Sequence, residues 1–229
     1  MRKLFKKGYK TSCKARLNSN MEKKMTINRK AKKTKKPIVL CICGMAGSGK
    51  STLAKRLAEK CGLKYYSGGD ALKILAKEEG YRTLERGWWE SSEGIRFLKR
   101  REKNSKFDKA VDEKLLELAK QGNVVLDSWT MPWLIKGGFK IWLEASLEKR
   151  AERIAKRDQI NVKEALKALR IKEKGTKAIY KKLYGFKLGE DFSPFHLILD
   201  TEYLDADEVF EVLCMVIDNL RHSESGQDF

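Results

Sequence analysis

Apolar positions along this chain come in short blocks whose period changes, and the blocks define its elements. Residues 38–43 are apolar without a break, the mark of a strand covered on both faces. Leu53, Ala54, Leu57, Ala58 and Cys61 then recur at helical spacing until Gly62 stops the helix. A second strand is predicted at 63–66 and a helix after Asp70 with Leu72, Leu75 and Ala76 inward. A third strand at 123–127 follows a helix over 108–120 with Val111, Leu115 and Leu118 inside, ended by Gly122. The fourth strand is predicted at 139–143, with a helix from Leu147, and the fifth at 196–199. Residues 158–194 between them read as a Lys-rich helical hairpin. Asp205 with Glu208 resembles a capping box opening a last helix that buries Val209, Phe210, Leu213 and Ile217. Five short apolar strands separated by helices predict an α/β fold with a parallel sheet covered on both faces.

Between the first strand and the first helix lies Gly44-Met45-Ala46-Gly47-Ser48-Gly49-Lys50-Ser51, followed by Thr52, a match to G-x-x-x-x-G-K-[ST]. Glycines at 44, 47 and 49 let the backbone turn tightly with its N–H groups inward, and the helix adds its positive end. Lys50 is placed to neutralise β- and γ-phosphates and Ser51 to hold Mg²⁺, which predicts ATP or GTP binding over residues 44–52. Neither an N-K-x-D guanine motif nor an L-S-G-G-Q transporter motif accompanies it. A small-molecule kinase is therefore favoured over a GTPase or a transporter ATPase.

Charge alters the picture only at one end. The 229 residues carry a net +19, but residues 1–36 hold 15 of the 50 Lys and Arg against the single acid Glu22. The remainder is only mildly basic. That segment has few apolar residues and no periodicity, so it is expected to be a disordered tail. It reads either as an arm for RNA, DNA or another polyanion or as a solubilising or extraneous extension, with Met21 or Met25 as a true start. A second, C-terminal tail is expected at 223–229. The absence of an apolar leader and of any membrane-length stretch predicts a soluble, cytoplasmic protein. Five cysteines without a C-x-x-C pair point to reduced thiols, and two histidines are too few for a metal site.

Three further features carry candidate chemistry. Asp127 ends an apolar strand, where an acid beside a phosphate loop orients Mg²⁺, although Asp is also a common turn residue. Arg150, Arg153 and Arg157 fall at i, i+3 and i+7, one face of a helix, as a phosphate-closing segment requires; a solvated charged face is the alternative. The stretch 78–108 sets Trp88 and Trp89 beside Arg82, Arg86, Arg96, Arg100 and Arg101 and reads as a mobile, substrate-facing insertion. Its alternative is a peripheral helical hairpin whose tryptophans merely pack.

The runs 61–70, 119–126, 140–157 and 195–201 resemble archaeal-type cytidylate kinases, over roughly residues 37–220. The resemblance implies a P-loop NTPase three-layer sandwich, strand order 2-3-1-4-5, in one nucleoside monophosphate kinase-like domain over 37–222. An acceptor-binding region would span about 67–120, including Asp70, Lys73 and Asp127 as substrate contacts, and a lid about 157–190. ATP and Mg²⁺ would be the cofactors, CMP or dCMP the acceptor, and Arg153 and Arg157, with Lys50, the groups on the transferred phosphate. The chain departs from the family where guanidinium groups are expected. Lys73 and Lys109 replace arginines, Asp127-Ser128-Trp129 stands for Glu-Gly-Arg, and two lid arginines appear as Lys172 and Ile179. The expectation is a cytidylate kinase with weakened acceptor binding, partly offset by stacking on Trp88, Trp89, Trp129 or Trp133. The rival is a P-loop ATPase with a decayed acceptor site, tied to RNA or ribonucleoprotein through its basic tail.

Overall fold

The unbroken apolar block forms β1 (Val39–Gly44), and it lies at the centre of a five-stranded sheet ordered β2-β3-β1-β4-β5. The structure, a computed structural model, describes residues 37–222. The tail 1–36, with its polyanion expectation, and residues 223–229 lie outside the described residues. The other strands are β2 (Lys64–Ser67), β3 (Val124–Asp127), β4 (Phe139–Glu144) and β5 (Leu197–Asp200), and every pairing is parallel. Their bounds differ by about a residue from the apolar blocks, because ladder pairing rather than hydrophobicity decides where a strand starts.

Alternation along β1 explains why helices cover both faces. Leu40 and Ile42 pack with α1 (Lys50–Cys61) and α8 (Ala206–His222), whereas Cys41 packs with α2 (Gly68–Glu78) and α4 (Lys106–Gln121). Both layers bury side chains completely, and each such Leu or Ile contributes roughly 1.5–3 kcal/mol relative to exposure. Burial pushes the Cys41 thiol up to about 12 and that of Cys43 higher still, so both behave as small hydrophobes. The cysteines among the described residues are all free thiols. No helix among the described residues is long and apolar enough to cross a membrane.

Register places the chemistry. Ile42 of β1 lies opposite Asp127 of β3, and Ser67 of β2 lies opposite the same aspartate. The loop after β1, the acid of β3 and the turn after β2 therefore meet at the carboxyl ends of the strands, where open α/β sheets bind ligands.

Two expectations change. Residues 158–194 are not a hairpin: α6 (Leu147–Asp158) leads into one 23-residue helix, α7 (Val162–Tyr184). Asn161 and Glu164 close a capping box at its start, and Gly185, left-handed at φ 83°, ends it. Gly175 inside α7 marks close packing rather than a break. A Cβ there would lie 2.6 Å from the Glu102 carboxylate and 3.0 Å from Leu98 of α3 (Ser92–Lys103). The insertion divides between its two readings. Trp88 begins a 3₁₀ turn ending at Glu90 and is core, 1% exposed against Phe97, whereas its neighbour Trp89 is only partly buried.

Candidate active site

The glycine loop has the shape its spacing predicts. Gly44, Gly47 and Gly49 all take positive φ, at 147°, 87° and 90°. A Cβ on Gly47 would stand 2.7 Å from the Arg150 carbonyl, so the loop's closeness to α6 excludes a side chain there. Arg150 props this loop from beneath: its Nη1 donates to the Ala46 carbonyl at 3.1 Å, its Nε donates to Ala145, and Glu173 of α7 takes the charge. Ser48 is 2% exposed, and its hydroxyl has no hydrogen-bond partner among the described residues. A buried donor without a partner, in a loop of inward N–H groups at a helix start, suits an anion.

Two cavities flank the loop. The first, about 280 Å³, gathers Ala46, Gly47, Lys50 and Ser51 with Asp70, Lys73, Asp127 and Arg157. The second, about 340 Å³, lies on the outer side of the loop, with Ser48, Gly49 and Thr52 facing Arg153, Thr201 and Leu204. Met45 packs in the core, and Gly44 accepts a hydrogen bond from the Trp129 indole at 2.5 Å.

The three arginines of α6 thus do not converge. Arg150 is consumed beneath the loop, and Arg153 donates to the Thr201 carbonyl at 2.5 Å and its hydroxyl at 3.0 Å in the second cavity. Of the three only Arg157 lines the first cavity, and it borders the second as well, paired with Asp158 at 2.6 Å and Glu90 at 3.5 Å. A guanidinium reaches far beyond its Cβ, so neighbouring carbonyls and carboxylates, not helical phase, decide where it goes.

Asp127 is buried, and its Oδ2 accepts from the Tyr65 hydroxyl at 3.0 Å. Ser51 and Asp127 line one cavity and offer only oxygen, the donor type Mg²⁺ takes, and these two would hold it. No cluster of three or more His, Cys, Asp or Glu able to hold a metal occurs among the described residues. Asp70 lines the same cavity; desolvation in the cleft and the Asp127 charge push its carboxyl up. The Lys73 ammonium donates to the Glu85 carbonyl at 3.1 Å at the cavity wall.

Residues that sequence reasoning missed form another wall. Arg101, 3% exposed, donates from Nε and Nη2 to Asp108, at 3.2 and 2.5 Å, and lies 3.5 Å from the Tyr180 hydroxyl. Asp112 accepts from Thr130 at 2.5 Å and Tyr184 at 2.6 Å, and burial pushes its carboxyl up to about 6. The signal for Asp108 and Asp112 was charged residues at inward helical positions of α4, beside Val111 and Leu115, while Arg101 is a buried position of α3. Of the other arginines in the stretch read as substrate-facing, Arg86 lines the cavity and Arg82 does not, whereas Arg96 and Arg100 are engaged elsewhere with Glu93 and Glu79. Trp89 and Trp129 face the cavity, while Trp133 stacks on Phe186 in a separate cluster.

Known proteins share this arrangement of sequence and fold. The model of the cytidylate kinase-like family matches residues 39–203. The cytidylate kinase of Methanocaldococcus jannaschii is 37% identical over 189 residues, spanning 80% of this chain and 99% of that protein. That of Pyrococcus horikoshii is 36% identical over 187 residues, spanning 81% and 91%. Among solved structures, an uncharacterized protein from Eubacterium ventriosum superposes with a TM-score of 0.52 at 19% identity, covering 80% of this chain and 99% of that one. The shikimate kinase of Bacteroides thetaiotaomicron gives 0.51 at 16% identity, covering 81% and 99%. At such identities the structural likeness speaks to the fold alone.

Proposed function

Because the chain belongs to the cytidylate kinase-like family, we propose that it is a nucleoside monophosphate kinase acting on CMP or dCMP with ATP as donor. The observation that carries this reading is that one cavity holds both Lys50 with Ser51 and the buried Arg101, Asp108 and Asp112. The first pair is suited to phosphate and the second group to a base edge. Cytosine offers an amino donor at C4 and acceptors at N3 and O2, and an arginine beside carboxylates supplies the complement. Uracil presents an oxygen at C4, which a carboxylate repels.

The transfer itself asks the protein for position and charge rather than covalent chemistry. An oxygen of the acceptor phosphate bonds to the γ-phosphorus, the bond to the β–γ bridging oxygen breaks, and ADP leaves with that electron pair. Lys50 and the loop N–H groups hold the donor phosphates, Arg157 reaches the cavity from α6, and the flanking indole of Trp89 offers a stacking face. Mg²⁺, held through Ser51 and Asp127, supplies further charge neutralisation when bound. The second cavity, bounded by Arg153, Thr201 and Leu204 outside the loop, suits the donor's base and ribose.

A coupled assay on the full chain with CMP, dCMP, UMP and AMP tests the reading. Turnover with CMP or dCMP should exceed that with UMP by roughly tenfold or more in kcat/KM, the size of one lost base-edge contact. Turnover with none of the four, and ATP hydrolysis that rises only with RNA, would replace it with the RNA-associated ATPase.

A further inference from the structure

Two lysines share one indole in the first cavity. The Lys50 ammonium lies 5.3 Å from the Trp129 ring centre, and the Lys172 ammonium of α7 lies 5.9 Å from the same ring and 5.4 Å from Trp89. Trp129 is anchored to the loop, since its Nε1 donates to the Gly44 carbonyl. Lys172 is largely buried, 12% exposed, and the Glu90 carboxylate accepts from it at 3.0 Å.

By residue type, Lys172 and Trp129 mark lost guanidinium groups; by position they gather charge. An indole face attracts an ammonium through its quadrupole without cancelling the charge or taking its N–H donors. A carboxylate would do both and would compete with phosphate. Arg157 has Asp158 as its nearer partner, at 2.6 Å, and Lys50 has no ion pair among the described residues. Among the described residues the carboxylate paired with Lys172 is that of Glu90, and a phosphoryl group, with more charge than a carboxylate, can take its place. Burial lowers the Lys172 ammonium pKa, Glu90 opposes this, and Lys50 and Arg157 push it lower. A cluster of this sign next to the glycine loop is matched to an incoming anion.

We propose that Lys172 binds the phosphoryl group being transferred, in place of a lid arginine, and that Trp129 is the positioning residue that holds Lys172 and Lys50 side by side for it. This rests on the kinase reading above, and the competing account is a structural staple in which Lys172 only ties α7 to the 3₁₀ turn through Glu90.

Binding and turnover together separate the accounts. In the full chain, equilibrium affinities for ADP and for a non-hydrolysable ATP analogue are measured alongside kcat with CMP for Lys172→Gln, Lys172→Arg, Trp129→Leu and Trp129→Phe. Lys172→Gln, which keeps a hydrogen bond to Glu90, should lose about tenfold of the preference for the ATP analogue over ADP. Its kcat should fall about 100-fold, with ADP affinity unchanged. Lys172→Arg should restore most of both, Trp129→Leu should cost about tenfold in kcat, and Trp129→Phe, which keeps an aromatic face, should cost less. An unchanged preference in Lys172→Gln, or equal losses for ADP and the analogue, overturns the proposal in favour of the staple. If the unaltered protein phosphorylates no monophosphate, the kinase reading fails, while the analogue-to-ADP ratio still decides whether Lys172 meets the terminal phosphoryl group.

Discussion

On the proposed reading, the donor side and the acceptor side of the first cavity are built by opposite means. The donor side of that reading is one contiguous stretch, residues 44–52, whose backbone N–H groups are held open by glycines at positive φ, of which Gly44 and Gly47 leave no room for a Cβ. The acceptor side is assembled from side chains on separate segments: Asp70 and Lys73 on α2, Trp89 and Glu90 in the 3₁₀ turn, Arg101 on α3, Asp108 and Asp112 on α4, and Lys172 on α7. A backbone cradle tolerates little change, because its geometry is the function. A side-chain wall can exchange residue types and keep its charge, as the pairing of Lys172 with Trp129 illustrates.

The largest expected effect tests the donor side. Lys50→Ala removes an ammonium that lines the cavity and makes no ion pair among the described residues, so phosphoryl transfer should fall about a thousandfold or more with stability unchanged. Steady-state kinetics beside a thermal melt checks both halves. Near-normal turnover would break the comparison at its firmer end.

Arg101→Met is the counterpart on the acceptor side, and its main cost should be stability. The Asp108 side chain is 1% exposed and would be left as an unpaired buried charge, a loss of about 3–5 kcal/mol. Denaturant unfolding measures it, and the double variant Arg101→Met, Asp108→Leu should recover most of the loss. The pair also shows why this wall was hard to read from sequence. Asp108 and Asp112 stood in a helix whose apolar phase was correctly read, but nothing in the local pattern said that Arg101, from the preceding helix, would meet Asp108 in the core. The glycine loop was legible because its partners are its sequence neighbours. The arginines of α6 were legible as a face but not as destinations, since Ala46, Thr201 and Asp158 lie in three different places around that helix. Residues 158–194 read as a hairpin from their Lys-rich pattern, whereas one helix runs through Gly175, which serves helix contact rather than a turn.

Asp112 sharpens the contrast at smaller cost. Its carboxyl is raised from 3.8 to about 6 by burial, against the Thr130 and Tyr184 hydrogen bonds. Between those values the folded chain binds the proton and the unfolded chain does not. The group's contribution to stability is therefore greatest below about 4, falls as pH rises through the window, and is fully lost above about 6. Asp112→Asn should raise stability at pH 7 by on the order of 1–3 kcal/mol and flatten the difference between pH 5 and pH 7. The same variant should weaken CMP, if the carboxylate receives the base's amino group. Unfolding curves for both proteins at the two pH values isolate this residue from Asp70 and His196, which also shift. A parallel pair of curves would remove Asp112 from the wall's electrostatics.

The smallest expected effect concerns Arg153, where residue type and position give different roles. On the family resemblance it belongs to the transferred phosphate. In the fold its guanidinium is held by the Thr201 carbonyl and hydroxyl and lies 3.4 Å from the Leu204 carbonyl, across the loop from Lys172. A group so held lines the cavity outside the loop, with Gly49 and Thr52, rather than the one containing Lys50 and Asp127. It should therefore act on how the donor is seated and not on the charge that develops during transfer. An interaction equal in ground and transition states changes KM and leaves kcat alone, whereas one made only in the transition state lowers kcat. Arg153→Lys keeps the charge but loses the planar fork that spans two acceptors, so KM for ATP should rise about three- to tenfold with kcat nearly constant. Arg157→Lys should do the reverse, because Arg157 also reaches the first cavity, which holds Lys50 and Asp127. A fall in kcat of tenfold or more for Arg153→Lys, with KM for ATP unchanged, would move Arg153 to the transferred phosphate and erase the division between the two cavities.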